Sequence, residues 1–129
     1  HTVAILGAGN LGRALMENFP FADNGFCLEA AFDVDPELVG KRLSGTPVYH
    51  VDGLEDYLRE HQVSVCVLTV PAGVAEAMAR RVAACGVSGI WNFTNVELPQ
   101  KDMPNVWVED VHFADSLLTL SYMISEEAP

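Results

Sequence analysis

Positive charge is scarce in this sequence: seven Lys and Arg stand against eighteen Asp and Glu, a formal net charge of −11 at pH 7. The stretch from Asp102 to Glu127 carries six carboxylates and neither Lys nor Arg. A surface of that sign repels phosphate backbones, so direct nucleic-acid binding by this chain is not expected. Cysteine is also sparse. Cys27, Cys66 and Cys85 are scattered, odd in number and set in apolar stretches without a CxxC pair. That pattern argues against a disulfide framework or a thiolate metal site, and for reduced core thiols in a cytoplasmic protein. No apolar run approaches the roughly 18 residues of a membrane span, and no basic patch precedes an apolar stretch as in a signal peptide.

Apolar residues, by contrast, make up 50% of the 129 residues, ample for one packed core. Residues 1–129 are therefore expected to form one domain without an internal linker. The chain opens directly into a strand pattern without an initiator methionine, which reads as part of a longer protein, and His1 is assigned no role.

Apolar runs bounded by turn residues alternate with helical periodicity, the pattern of βα units. The expected fold is α/β: a Rossmann-type parallel sheet with helices on both faces. Val3 to Leu6 reads as the first, central strand, and Leu11, Leu15 and Phe19 give the following helix an apolar stripe that ends near Pro20. Cys27 to Phe32 is a second strand, closed by Asp33, and Pro36 opens a short helical turn. Pro47 to Val51 reads as a small strand leading to a helix from Leu54 to His61. Val63 to Val70 is apolar almost throughout, as in a strand covered on both faces. Pro71 starts a helix with a Val74, Met78, Val82 stripe, and strands follow at Val87 to Phe93 and Val106 to Val108. Thr94 to Asn105 is the longest loop, and a final helix is expected from about Val111 to Ser125.

Gly7, Gly9 and Gly12 form GxGxxG, a weak signal alone because glycine is common. Its setting strengthens it: a strand precedes it, a helix follows, and Asp33 ends the second strand 21 residues after Gly12. Gly7 permits the tight turn, Gly9 has no side chain to block a pyrophosphate, and Gly12 lets helix and strand approach. The backbone of Ala8, Asn10 and Leu11 completes a helix start whose N–H groups favour phosphate. Asp33 would accept hydrogen bonds from ribose hydroxyls and repel a 2′-phosphate, so NAD(H) is expected rather than NADP(H). The competing explanation is a tight strand-to-helix turn with a solvated aspartate. Two further loops should reach the same carboxyl edge: Thr69, Val70 and Pro71, and Asn92, Phe93 and Thr94. Val70 and Pro71 would line the nicotinamide ribose, and Phe93 or Phe113 would offer it a ring, unless they are ordinary core residues.

A proton donor for hydride chemistry is harder to find. His50, His61 and His112 are the internal histidines, and the sheet with its helices uses the whole chain, leaving no substrate domain. Binding without turnover is the simpler reading, with a small dehydrogenase or a coenzyme A binding domain as alternatives. In the last segment, Phe113, Leu117, Leu120 and Ile124 form a stripe while Leu118, Tyr122 and Met123 are apolar on other faces. That surplus points to a homodimer through the C-terminal helix.

Five segments together resemble the redox-sensing transcriptional repressor family Rex: GAGNLGRAL (Gly7 to Leu15), AFDVDPELVG (Ala31 to Gly40), LTVP (Leu68 to Pro71), GVSGIWNF (Gly86 to Phe93) and VHFADSLLTLSYMI (Val111 to Ile124). The resemblance implies the cofactor-binding domain of a homodimeric repressor that senses NADH against NAD+, with operator DNA bound by a winged-helix domain not contained in these residues. It assigns Gly7 to Gly12 and Asp33 to the cofactor, and Phe113 to the partner's nicotinamide. The family's switching aspartate and tyrosine correspond here to His112 and Asn18, and its NFAP-like loop is NFTN. With the aspartate replaced and the nicotinamide surrounded by Val70, Pro71 and Phe113, NADH is expected to bind more tightly than NAD+.

Overall fold

The computed structural model describes residues 1–111. Seven strands, β1 (Thr2–Leu6), β2 (Cys27–Asp33), β3 (Arg42–Leu43), β4 (Thr46–His50), β5 (Val65–Leu68), β6 (Gly89–Asn92) and β7 (Trp107–Asp110), alternate with helices α1 (Asn10–Asn18), α2 (Leu54–Glu60) and α3 (Ala72–Ala83). They form one sheet in the order β3-β4-β2-β1-β5-β6-β7, parallel except for the β3/β4 pair. The expected α/β Rossmann-type architecture is therefore present, with β1 in the middle. The short hairpin of β3 with β4 escaped the sequence reading because two residues carry no readable period, and Ser44 and Gly45, both at positive φ, make its turn.

Each face of the sheet carries its own core. On one, Leu54 and Leu58 of α2 and Ala75, Ala79 and Val82 of α3 pack with Leu6, Phe32 and Leu68. Leu98, Met103 and Val106, from the long connection between β6 and β7, join this side. On the other, Met16 and Phe21 pack with Val3, Ile5 and Phe93. The helical stripes depart in part from those expected: Val82 is buried and Met78 packs on the core as read, but the best-buried positions beside them lie one residue on. In α3 the buried row is Ala75, Ala79 and Val82, while Val74 is 46% exposed. In α1 Gly12 and Met16 are buried, and Leu11, Leu15 and Phe19 flank them half-buried. Gly12, Ala75 and Ala79 are buried although small, which hydrophobicity alone does not reveal. Cys27 also departs from expectation: it is exposed at the start of β2, whereas Cys66 is buried, and that burial pushes its thiol up.

Helices α2 and α3 are clamped by a two-pronged ion pair. Arg81 donates from Nε to Glu55 Oε2 at 2.6 Å and from Nη2 to Oε1 at 2.7 Å, and also to the Val51 carbonyl at 2.9 Å. These charge-assisted bonds hold the Glu55 carboxyl at about 2, below its ordinary value. The clamp fixes the helix layer on this face. The described residues cover the opposite face unevenly. Where α1 does not reach, Val65, Val67, Trp91 and Trp107 line an apolar groove of about 390 Å³, with Trp107 76% exposed.

Candidate functional site

Register places the strand exits in one row. Leu6 lies beside Phe32 and Leu68, Leu68 beside Asn92, and Asn92 beside Asp110. The loops leaving these positions meet at the carboxyl edge of the sheet, on either side of β1, where the chain order reverses direction. This is the edge at which open α/β sheets hold ligands.

The three glycines of the first loop have three different reasons to be glycine. Gly7 has φ +101°, and a Cβ there would stand 2.7 Å from the Thr69 carbonyl oxygen. At Gly12 a Cβ would overlap the Gly7 carbonyl oxygen, so α1 could not sit as close to the turn. Gly9 is different: its backbone is extended at φ −74°, and a Cβ would meet nothing within 4 Å. Two glycines are required by the fold, and the third opens onto space. Into that space points the start of α1, whose cap Gly9 supplies no side-chain bond and whose first turn holds no acidic residue. Its leading N–H groups are therefore available to an anion.

Asp33 is already engaged. Its Oδ2 accepts from the Ala8 N–H at 2.7 Å, and its Oδ1 from the Val34 and Asp35 N–H groups at 2.7 and 2.9 Å. A carboxylate has about four lone-pair sites, so these three bonds leave room for one more donor, such as a single ribose hydroxyl. The acid thus ties the glycine turn to the end of β2. Thr69 braces the same turn from β5, where its hydroxyl lies 2.9 Å from the Leu6 carbonyl oxygen and 2.7 Å from that of Gly7.

Of the other residues picked out from sequence, Ala8 is buried, Asn10 and Pro71 are exposed, and Leu11 and Val70 are half-buried along the edge. Asn92 is buried and belongs to a polar knot at the β6 end. Phe93 is buried too, edge-on to Trp91 with ring centroids 4.6 Å apart. Phe113, His112 and most of the helix expected from about Val111 to Ser125 lie outside the described residues, whereas Asn18 closes α1 and donates back to the Ala14 carbonyl. Three neighbours escaped the sequence reading. His50 stands beside Asp33 in register across β2 and β4, Val34 is 65% exposed next to Asp33, and Asp110 is bonded to Asn92. The signal for His50 and Asp110 was register, which a single sequence conveys only once strand partners are known. Among the described residues no group of three or more His, Cys, Asp or Glu could hold a metal ion. No helix among them is long and apolar enough to cross a membrane.

The family model described as "CoA binding domain" matches residues 1–96. The chain belongs to the CoA-binding domain family. Within that framework it is 44% identical, over 95% of its length, to the redox-sensing transcriptional repressor Rex of Caldicellulosiruptor saccharolyticus, and 42% identical to that of Clostridium tetani. The chain spans 55% and 57% of those two relatives. Among solved structures, RSP, a Rex-family repressor, matches with a TM-score of 0.89 at 35% identity, covering 98% of this chain and 60% of that one. RSP in complex with beta-NADH matches equally well. The Rex resemblance drawn from the motifs is borne out. Scyllo-inositol dehydrogenase from Lactobacillus casei shares the fold alone, at 17% identity and a TM-score of 0.67 over 97% of this chain and 41% of that one.

Proposed function

We propose that these residues are the NAD(H)-binding, redox-sensing and dimerisation module of a Rex-like transcriptional repressor acting in the cytoplasm, without catalytic turnover. The observation that carries the reading is the unfilled position at Gly9, between the uncapped start of α1 and Asp33. A pyrophosphate fits there, with the adenosine half toward Asp33 and the nicotinamide half toward Thr69, Val70, Pro71, Asn92 and Phe93. The relatives are named as repressors, and solved complexes of RSP hold beta-NADH, or beta-NAD+ with operator DNA. DNA contact belongs to a part of the protein outside these acidic residues.

Substituting Asp33 by Ala weakens NADH binding by about 1 to 3 kcal/mol, the range for a lost bond to a charged group. Because Asp33 also holds the turn, affinity alone does not separate the two jobs. The ratio of NADH to NADPH affinities does, and it falls if Asp33 excludes the 2′-phosphate. Titration calorimetry with both cofactors reads this; an unchanged ratio refutes the ribose assignment. The family description supports a second reading, coenzyme A. Coenzyme A bound more tightly than NADH in the same titration decides for it.

Dimerisation is supported by the apolar surplus of residues 113–124 in the sequence. A carboxylate at Leu120 (L120D) is expected to give monomers or insoluble protein. Light scattering checks the parent state, and a clean monomer at micromolar concentration refutes the dimer.

A further inference from the structure

The nicotinamide end of the proposed site carries a charge that the sequence reading did not find. Asn92 is 2% exposed, and its whole bonding capacity is used. Its Nδ2 donates to the Val96 carbonyl and to Asp110 Oδ1, each at 2.8 Å, while its Oδ1 accepts from the Thr94 N–H at 3.0 Å and the Thr94 hydroxyl at 2.6 Å. Asp110 is exposed, and among the described residues this amide is its only side-chain partner. A buried, fully bonded amide therefore holds one carboxylate oxygen in place, and the other takes no bond among the described residues. The cleft beside it, about 300 Å³, is lined by Asn92, Asn95, Val96, Glu97, Asp110 and Val111, with no Lys or Arg to neutralise it.

The position of this carboxylate matters because β7 follows β6 at the same edge. Strands lie about 4.8 Å apart, so Asp110 stands roughly one spacing beyond Asn92 and about three from the glycine turn. A dinucleotide with its pyrophosphate over Gly9 and its adenosine toward Asp33 directs its other half across β5 to β6. Oxidised nicotinamide is a cation and the reduced ring is neutral. A fixed negative charge at that end favours the first over the second by Coulomb attraction.

We propose that Asp110, positioned by Asn92, sets the balance between oxidised and reduced cofactor by stabilising the cationic nicotinamide. This rests on the NAD(H) reading above.

The experiment compares Kd for NAD+ and for NADH in the parent protein, in Asp110→Asn and in Glu109→Gln. Asn at 110 still accepts from Asn92, so the local fold is kept, and a thermal melt verifies this. Glu109 is the neighbouring carboxylate and lines the groove on the opposite face, so it controls for overall charge. The expected result is a shift of about fivefold in the Kd ratio toward NADH for Asp110→Asn, about 1 kcal/mol, with no shift for Glu109→Gln. An equal shift in both variants, or none in either while NADH still binds, overturns the role of Asp110 and leaves the NAD(H) reading intact. Loss of both cofactors from the parent protein overturns the two together.

Discussion

Gly9→Val is expected to leave the domain folded and to weaken NADH binding by at least about a hundredfold, or 2.7 kcal/mol. The backbone at Gly9 is extended, a conformation open to any residue, and a Cβ there touches nothing in the protein. The cost to the fold is limited to a poorer helix cap, less than about 1 kcal/mol. The added methyl groups instead occupy the space in front of the α1 N–H groups, where the proposed site holds the pyrophosphate. Calorimetric titration alongside a thermal melt tests both halves. A variant that melts like the parent and binds NADH equally well places the phosphates elsewhere.

Gly12→Ala gives the opposite pattern, a loss of stability. One methyl group at this position overlaps the Gly7 carbonyl oxygen, which is backbone and cannot rotate away, and it also approaches the Thr69 hydroxyl. Either α1 moves off the sheet or the turn opens, and with it the Asp33 and Thr69 bonds that hold it. Overpacking of this kind costs about 3 kcal/mol, near the upper end of its usual range. For a domain of this size that lowers the melting temperature by about 10 °C. A melting temperature within a degree or two of the parent's shows that the helix has room which the geometry denies it.

The contrast between these two glycines also marks what could be read in advance. The spacing of Gly7, Gly9, Gly12 and Asp33 placed the turn and its acid correctly between β1, α1 and β2, because each strand was bounded by its own turn chemistry. That Asp33 accepts three backbone N–H groups was not legible, since hydrogen bonding to the main chain leaves no periodic trace in sequence. The α3 stripe is right at Val82 and wrong at its start, where the small Ala75 and Ala79 are buried and the larger Val74 is exposed. The Asn92–Asp110 pair joins residues 18 apart through strand register, and register emerges only when the sheet assembles.

The two duties proposed for Asp33, choosing the cofactor and holding the loop, limit how cofactor preference could change over evolution. In a site where the selecting acid merely faced solvent, one substitution to a neutral or basic residue would admit a phosphorylated ribose. Here the same substitution strands the N–H groups of Ala8, Val34 and Asp35 without their acceptor and unties the first loop from the second strand. On the proposed reading, selectivity and loop integrity are inherited together. A lineage changing its dinucleotide would have to acquire a new acceptor for those three groups before, or along with, the loss of the charge.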